Sequence, residues 1–175
     1  MVTTIERRIG NWMADHNTTL LRWALGTVFL WFGVLKFCPG LCDVELLAQR
    51  VMSVLSFGKI APVVEFRLLA IWECSMGLTL LLAPRKTLWG ALALRVCVVS
   101  MIVHLAGTML PLAMFPAETW KHLAFAPTLA GQYILKNLVL MAATVSVGAS
   151  AFARPAQLEI LPVYAKPQRG PRLMA

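Results

Sequence analysis

Four long apolar stretches dominate the chain: Thr19–Phe37, Val64–Ala83, Leu88–Met114 and Leu129–Ala151. Each approaches or exceeds the ~20 residues a helix needs to cross a hydrocarbon layer. An isolated segment in lipid must satisfy its own backbone hydrogen bonds, so each stretch is expected to be helical. Charge is absent from whole segments rather than thinned evenly. Of the 175 residues 59% are hydrophobic and only 14% charged, where a soluble domain carries about a quarter charged residues. The expected fold class is therefore an all-α integral membrane protein, a four-transmembrane-helix bundle. Pro84 and Pro127 fall at span ends, where helix breakers belong, and the third span is long enough to tilt or to bend at Pro111.

Three regions follow: a polar segment over 1–17, the membrane domain over 18–152, and a basic tail over 153–175. No small-residue cleavage site follows the first apolar run, so the first span is expected to stay as a signal anchor. Positive charge then orients the spans. Arg7, Arg8 and Arg22 lie at one end, with Arg85 and Lys86 in the 2–3 turn and Arg154, Lys166, Arg169 and Arg172 in the tail. The opposite end has Arg50 and Lys59 in the 1–2 loop, Arg67 just inside span two, and Lys121. This bias predicts that both termini are cytoplasmic. The net charge of +8 is thus read as topology, and nucleic acid is not an expected partner.

The 1–2 loop begins Phe37-Cys38-Pro39-Gly40-Leu41-Cys42 and is expected to face an oxidising compartment, where disulfides persist. Cys38 and Cys42 are candidates for a disulfide across the Pro-Gly turn. The alternatives are two free thiols at the interface, or Cys38 packing as a small apolar residue. Cys74 and Cys97 lie within spans and read as inert packing.

Ionisable groups inside a bilayer are costly, so those in the spans are the candidate site. At 1.5 Å per residue, Glu73 lies ~17 Å and Arg95 ~14 Å from the turn joining spans two and three. Lys136 lies near mid-depth in span four, beside Asn137. The three charged groups are expected at one level, with surplus positive charge open to an anionic or carbonyl-bearing ligand such as a quinone oxygen. The competing reading is a structural ion pair that fixes helix register. His104 reads either as a proton relay or ligand or as a hydrogen-bonded core histidine. Lys36 reads as an interfacial anchor, with Glu65 at similar depth as a candidate partner. Gly26, Gly33 and Gly77 are expected to let helices approach closely. The usual metalloprotease, phosphate-loop, dinucleotide, nucleophile-elbow and haem-attachment motifs are absent, and no metal site is expected.

The strings "WFGVLKF" (31–37), "PLAMFPAETW" (111–120) and "GQYILKNLVLMAA" (131–143) resemble the DoxX-like superfamily, most closely its YkgB-like, RclC-like branch. The likeness covers most of Leu20–Ala151. Gly33, Lys36, Phe37, Tyr133, Lys136 and Asn137 match the pattern, whereas Cys38 and Cys42 depart from it. The resemblance implies a four-helix bundle of the bacterial inner membrane with a role in redox or oxidative (reactive chlorine) stress, and a possible quinone ligand. It assigns no catalytic residue. The alternatives are a non-catalytic accessory subunit of a larger membrane complex or homo-oligomer and, weakest of the three, a small-solute transporter.

Overall fold

The structure, a computed structural model, describes residues 3–38, 40–42, 44–85, 87–121 and 125–152. The expected basic tail, Lys86 and His122 lie outside the described residues. Among the described residues eight helices follow one another: α1 (Thr4–Leu35), α2 (Glu45–Leu55), α3 (Pro62–Leu82), α4 (Leu88–Gly107), α5 (Pro111–Met114), α6 (Pro116–Thr119), α7 (Leu129–Leu135) and α8 (Asn137–Phe152). No strand occurs among the described residues. Among the described residues three helical stretches are long and apolar enough to cross a membrane: Thr4–Leu35, Leu88–Met114 and Leu129–Phe152. This is the architecture of a membrane protein. The second expected span, α3, has the length but carries Glu65, Arg67 and Glu73, and it turns both glutamates inward.

The polar N-terminal segment is helical from Thr4 and forms the first turns of α1. Thr3 and Glu6 form a reciprocal capping box: the Glu6 N–H donates to Thr3 Oγ1 at 3.2 Å and the Thr3 N–H to Glu6 Oε2 at 2.6 Å. With two orphan donors satisfied, the helix runs unbroken from there to Leu35. Beyond its exposed first turns, α1 packs against α3 along a seam of small residues. A Cβ at Gly33 would lie 2.6 Å from Cys74 Sγ, and one at Gly77 would lie 2.6 Å from the Leu30 nitrogen. Gly26 meets the Gly77 carbonyl on the same seam. The expected close helix contact is present.

Arg22, read above only as a topology charge, is buried at the far end of that seam. Its Nε donates to the Leu80 carbonyl and its Nη2 to the Ala83 carbonyl at 2.5 Å. These are carbonyls at the C-terminal end of α3 that have no partner within the helix. Pro84 and Arg85 then turn the chain into α4, whose N-cap Thr87 Oγ1 accepts from the Gly90 N–H at 3.1 Å. A core of Leu25 and Phe29 from α1, Met76 and Leu80 from α3, and Leu94 and Met101 from α4 fills the bundle, with Val147 closing it from α8.

At the other end the elements are short. The third apolar run does bend, but before Pro111: α4 stops at Gly107, and Pro111 opens α5 at its first position, where its missing N–H costs nothing. A second departure is α2. The 1–2 connection contains an 11-residue helix that packs on α3 with Leu47 and Val51 buried. A bidentate ion pair joins it to α6, with Arg50 Nη1 and Nη2 at 2.6 and 2.9 Å from the Glu118 carboxylate.

Candidate functional site

The periodicity of α3 places Glu65, Leu69, Glu73 and Met76 inward, so its two glutamates are buried by the same pattern that buries its apolar residues. Lys36 follows the last residue of α1 and caps that helix with its backbone. Its side chain does not extend to the interface as an anchor. It folds back along α1, where Nζ lies 3.4 Å from the Phe32 carbonyl and 2.5 Å from Glu73 Oε2. His104, from the last turn of α4, places Nε2 at 3.0 Å from the other oxygen, Glu73 Oε1. The side chains of Lys36, Glu73 and His104 are 9%, 6% and 5% exposed, which makes this a buried ionic cluster rather than a surface pair. Phe29 and Trp72 hold the imidazole edge-on, with ring centroids at 5.7 and 5.3 Å. Trp72 is itself fixed by a 2.6 Å hydrogen bond from Nε1 to Ser100 Oγ.

This arrangement corrects two expected pairings. Arg95 does not join Glu73. It is exposed, donates from Nε to the Ala151 carbonyl at 3.0 Å and stacks over Phe152. Depth along a helix gives height but not direction. Leu94, Cys97, Val98 and Met101 take the buried face of α4 and leave Arg95 beside the C-terminal end of α8, where a cation is favoured. Nor does Glu65 pair with Lys36. Glu65 is 2% exposed, and neither carboxylate oxygen has a hydrogen-bond partner among the described residues.

Lys136 does come to the same region. It is the single residue between α7 and α8, and its ammonium sits 4.5 Å from the Phe32 ring centroid and 3.2 Å from that of Tyr133. Asn137 beside it donates from Nδ2 to Thr108 Oγ1 at 2.8 Å. Between these groups lies a cavity of about 320 Å³, within the range of small-molecule sites. Its walls are mostly apolar, from Phe29 and Phe32 of α1, Leu69 and Trp72 of α3, and Ile134 of α7. Lys36, Glu73, His104, Thr108, Lys136 and Asn137 supply the polar part. Helix α2 closes one side with Leu47, Val51 and Met52. These lid residues were missed from sequence, although apolar Leu47, Val51 and Leu55 recur at helical spacing.

The cysteines separate. All four are free thiols, with Cys38 exposed and Cys42 half-buried. Cys42 lines the cavity and Cys38 does not, so the turn sends the two side chains to different surroundings and the expected candidate disulfide is absent. Cys74 and Cys97 pack against backbone carbonyls of Leu30 and Met76. Among the described residues no three His, Cys, Asp or Glu side chains gather closely enough to hold a metal ion.

The site can therefore receive an apolar body with an oxygen-bearing head. Lys136 is available to donate hydrogen bonds, and a carboxylate–imidazole pair on the wall can exchange a proton. Comparison with known proteins leaves the reading to this geometry: no family model, curated protein or solved structure matches the chain.

Proposed function

We propose that the protein is a four-span membrane protein of the DoxX-like, YkgB-like type that binds a lipid-soluble ligand of the quinone class and serves redox or oxidative-stress resistance in a bacterial inner membrane. The observation that carries the reading is the apolar cavity with Lys36, Glu73, His104 and Lys136 on its wall. A quinone has the matching pattern of a flat apolar body with carbonyl oxygens at its edge. In the proposed topology α3 is the fourth crossing element and both termini are cytoplasmic, as the arginine and lysine bias implies.

Two experiments test it. Protein extracted in mild detergent is analysed by mass spectrometry for co-purifying quinone, and cells carrying Lys136→Ala are scored for oxidant survival. Absence of bound quinone together with unchanged survival overturns the reading. For topology, exposed Cys38 is expected to react with a membrane-impermeant maleimide added outside intact cells whose outer membrane has been permeabilised. Labelling only after lysis reverses the orientation.

A second reading, an accessory subunit of a larger complex, rests on α1. Ile5, Ile9, Trp12 and Met13 are all exposed and share one helix face at i, i+4, i+7 and i+8. A partner retained in native pull-down and lost on Trp12→Glu favours it; recovery of the protein alone does not.

A further inference from the structure

The charges of the described residues around the cavity do not balance. Glu73 is the one carboxylate among the described lining residues, and the wall already uses both of its oxygens, Oε2 by Lys36 at 2.5 Å and Oε1 by His104 at 3.0 Å. Lys136 lines the same cavity, and among the described residues no carboxylate lies within ion-pair distance of its ammonium. Its nearest partners are the faces of Phe32 and Tyr133, whose quadrupoles offset only part of a full charge. Lys36 and Glu73 cancel. Whatever the protonation of His104, Lys136 leaves the described wall with at least one positive charge to spare. Glu65 does not line the cavity.

A spare charge in mostly apolar surroundings is costly, and the cost falls when a counter-charge arrives with the ligand. Charge-assisted hydrogen bonds to an oxyanion are also roughly twice as strong as those to a neutral carbonyl. We infer that the cavity binds its ligand as a monoanion, with the oxyanion on Lys136 Nζ and the apolar body against Phe32 and the α2 lid. This rests on the cavity being the ligand site of the proposed function. Within the quinone class it selects ionised hydroxyquinones over neutral quinones of the same shape.

The test compares two probes that share a ring system and differ chiefly in charge: a 3-alkyl-2-hydroxy-1,4-naphthoquinone, ionised at neutral pH, and its 2-methyl ether. Binding to the detergent-purified full chain is read as quenching of Trp72, defined as the signal lost in Trp72→Phe. The hydroxyquinone is expected to bind at least ~10-fold tighter than the ether, a ratio within the reach of one charge-assisted contact. Lys136→Gln should bring the ratio near unity by weakening the hydroxyquinone far more than the ether, and Lys136→Arg should retain the preference. Equal affinity of the two probes in the parent protein overturns the monoanion and leaves the cavity as a ligand site. A preference that survives in Lys136→Gln overturns the role of Lys136. If neither probe quenches Trp72, the cavity reading falls as well.

Discussion

Removing the Glu73 carboxylate tests the buried cluster most directly. In Glu73→Ala the Lys36 ammonium and the His104 ring keep their burial, at 9% and 5% exposure, but lose their shared acceptor. Deleting one member of a buried pair costs about 3–5 kcal/mol, because the other charge is left uncompensated. At roughly 2–4 °C per kcal/mol for a domain of this size, that is a Tm drop of ~6–20 °C. Glu73→Gln keeps the volume and two polar atoms, and should lose less, about 1–3 kcal/mol. The double change Lys36→Met with Glu73→Leu removes both charges together, and its cost should fall well below that of Glu73→Ala, leaving mainly the ~1 kcal/mol of the lost His104 hydrogen bond. Helical circular dichroism during heating of the detergent-purified protein reads all three. A Glu73→Ala variant within about 2 °C of the parent would sink the reasoning, since it would mean that the Lys36 charge relaxes to water at little cost. So would a double variant that falls as far as the sum of its two single changes.

Other perturbations separate packing from charge. Gly77→Ala places a methyl group 2.6 Å from the Leu30 nitrogen; the contact is with backbone, so α1 and α3 must move apart, and a loss of about 1–3 kcal/mol is expected in the same melt. Glu65→Leu should instead raise Tm, because it removes a buried carboxyl with no hydrogen-bond partner among the described residues, worth about 1–3 kcal/mol; a lower Tm would mean that Glu65 has a partner outside them. Arg50→Gln breaks a pair whose side chains are 53% and 40% exposed, so it should cost no more than ~1 kcal/mol, with the difference shrinking in high salt.

The parts of this structure legible in the sequence are those that depend on one dimension. Apolar length located the long helices, and the spacing of Gly26 and Gly33 marked the face of α1 that meets α3. The azimuth of the charged groups was not legible. Arg95 shares the depth of the charged cluster but faces away from it, since Leu94 and Cys97 occupy the inward side of α4. Lys36 has Glu65 at similar depth, yet its flexible stem folds down to Glu73, a choice set by how α1 and α3 sit together at Gly33 and Cys74. The N-terminal turns of α1 were missed for another reason. Their polarity answers whether lipid surrounds them, whereas helicity is decided by the Thr3–Glu6 cap. The cavity itself is a tertiary property. Its lid, α2, is a short amphipathic pattern inside what reads as a loop.

Because α1 is one continuous helix, it also acts mechanically. The same rod carries Phe29 and Phe32 in the cavity wall and the exposed Ile5–Met13 face far from it. Arg22, hydrogen-bonded to the carbonyls at the end of α3, is the last buried point at which the rod is held and its natural pivot. From Arg22 to Thr4 the rod is ~27 Å long, so a tilt of about 5° at the pivot sweeps its free end through roughly 2 Å. An occupant that wedges Phe32 aside would therefore be felt at the exposed N-terminal turns of α1 as a displacement that grows toward Thr4. α1 is a lever whose short arm lies at the cavity.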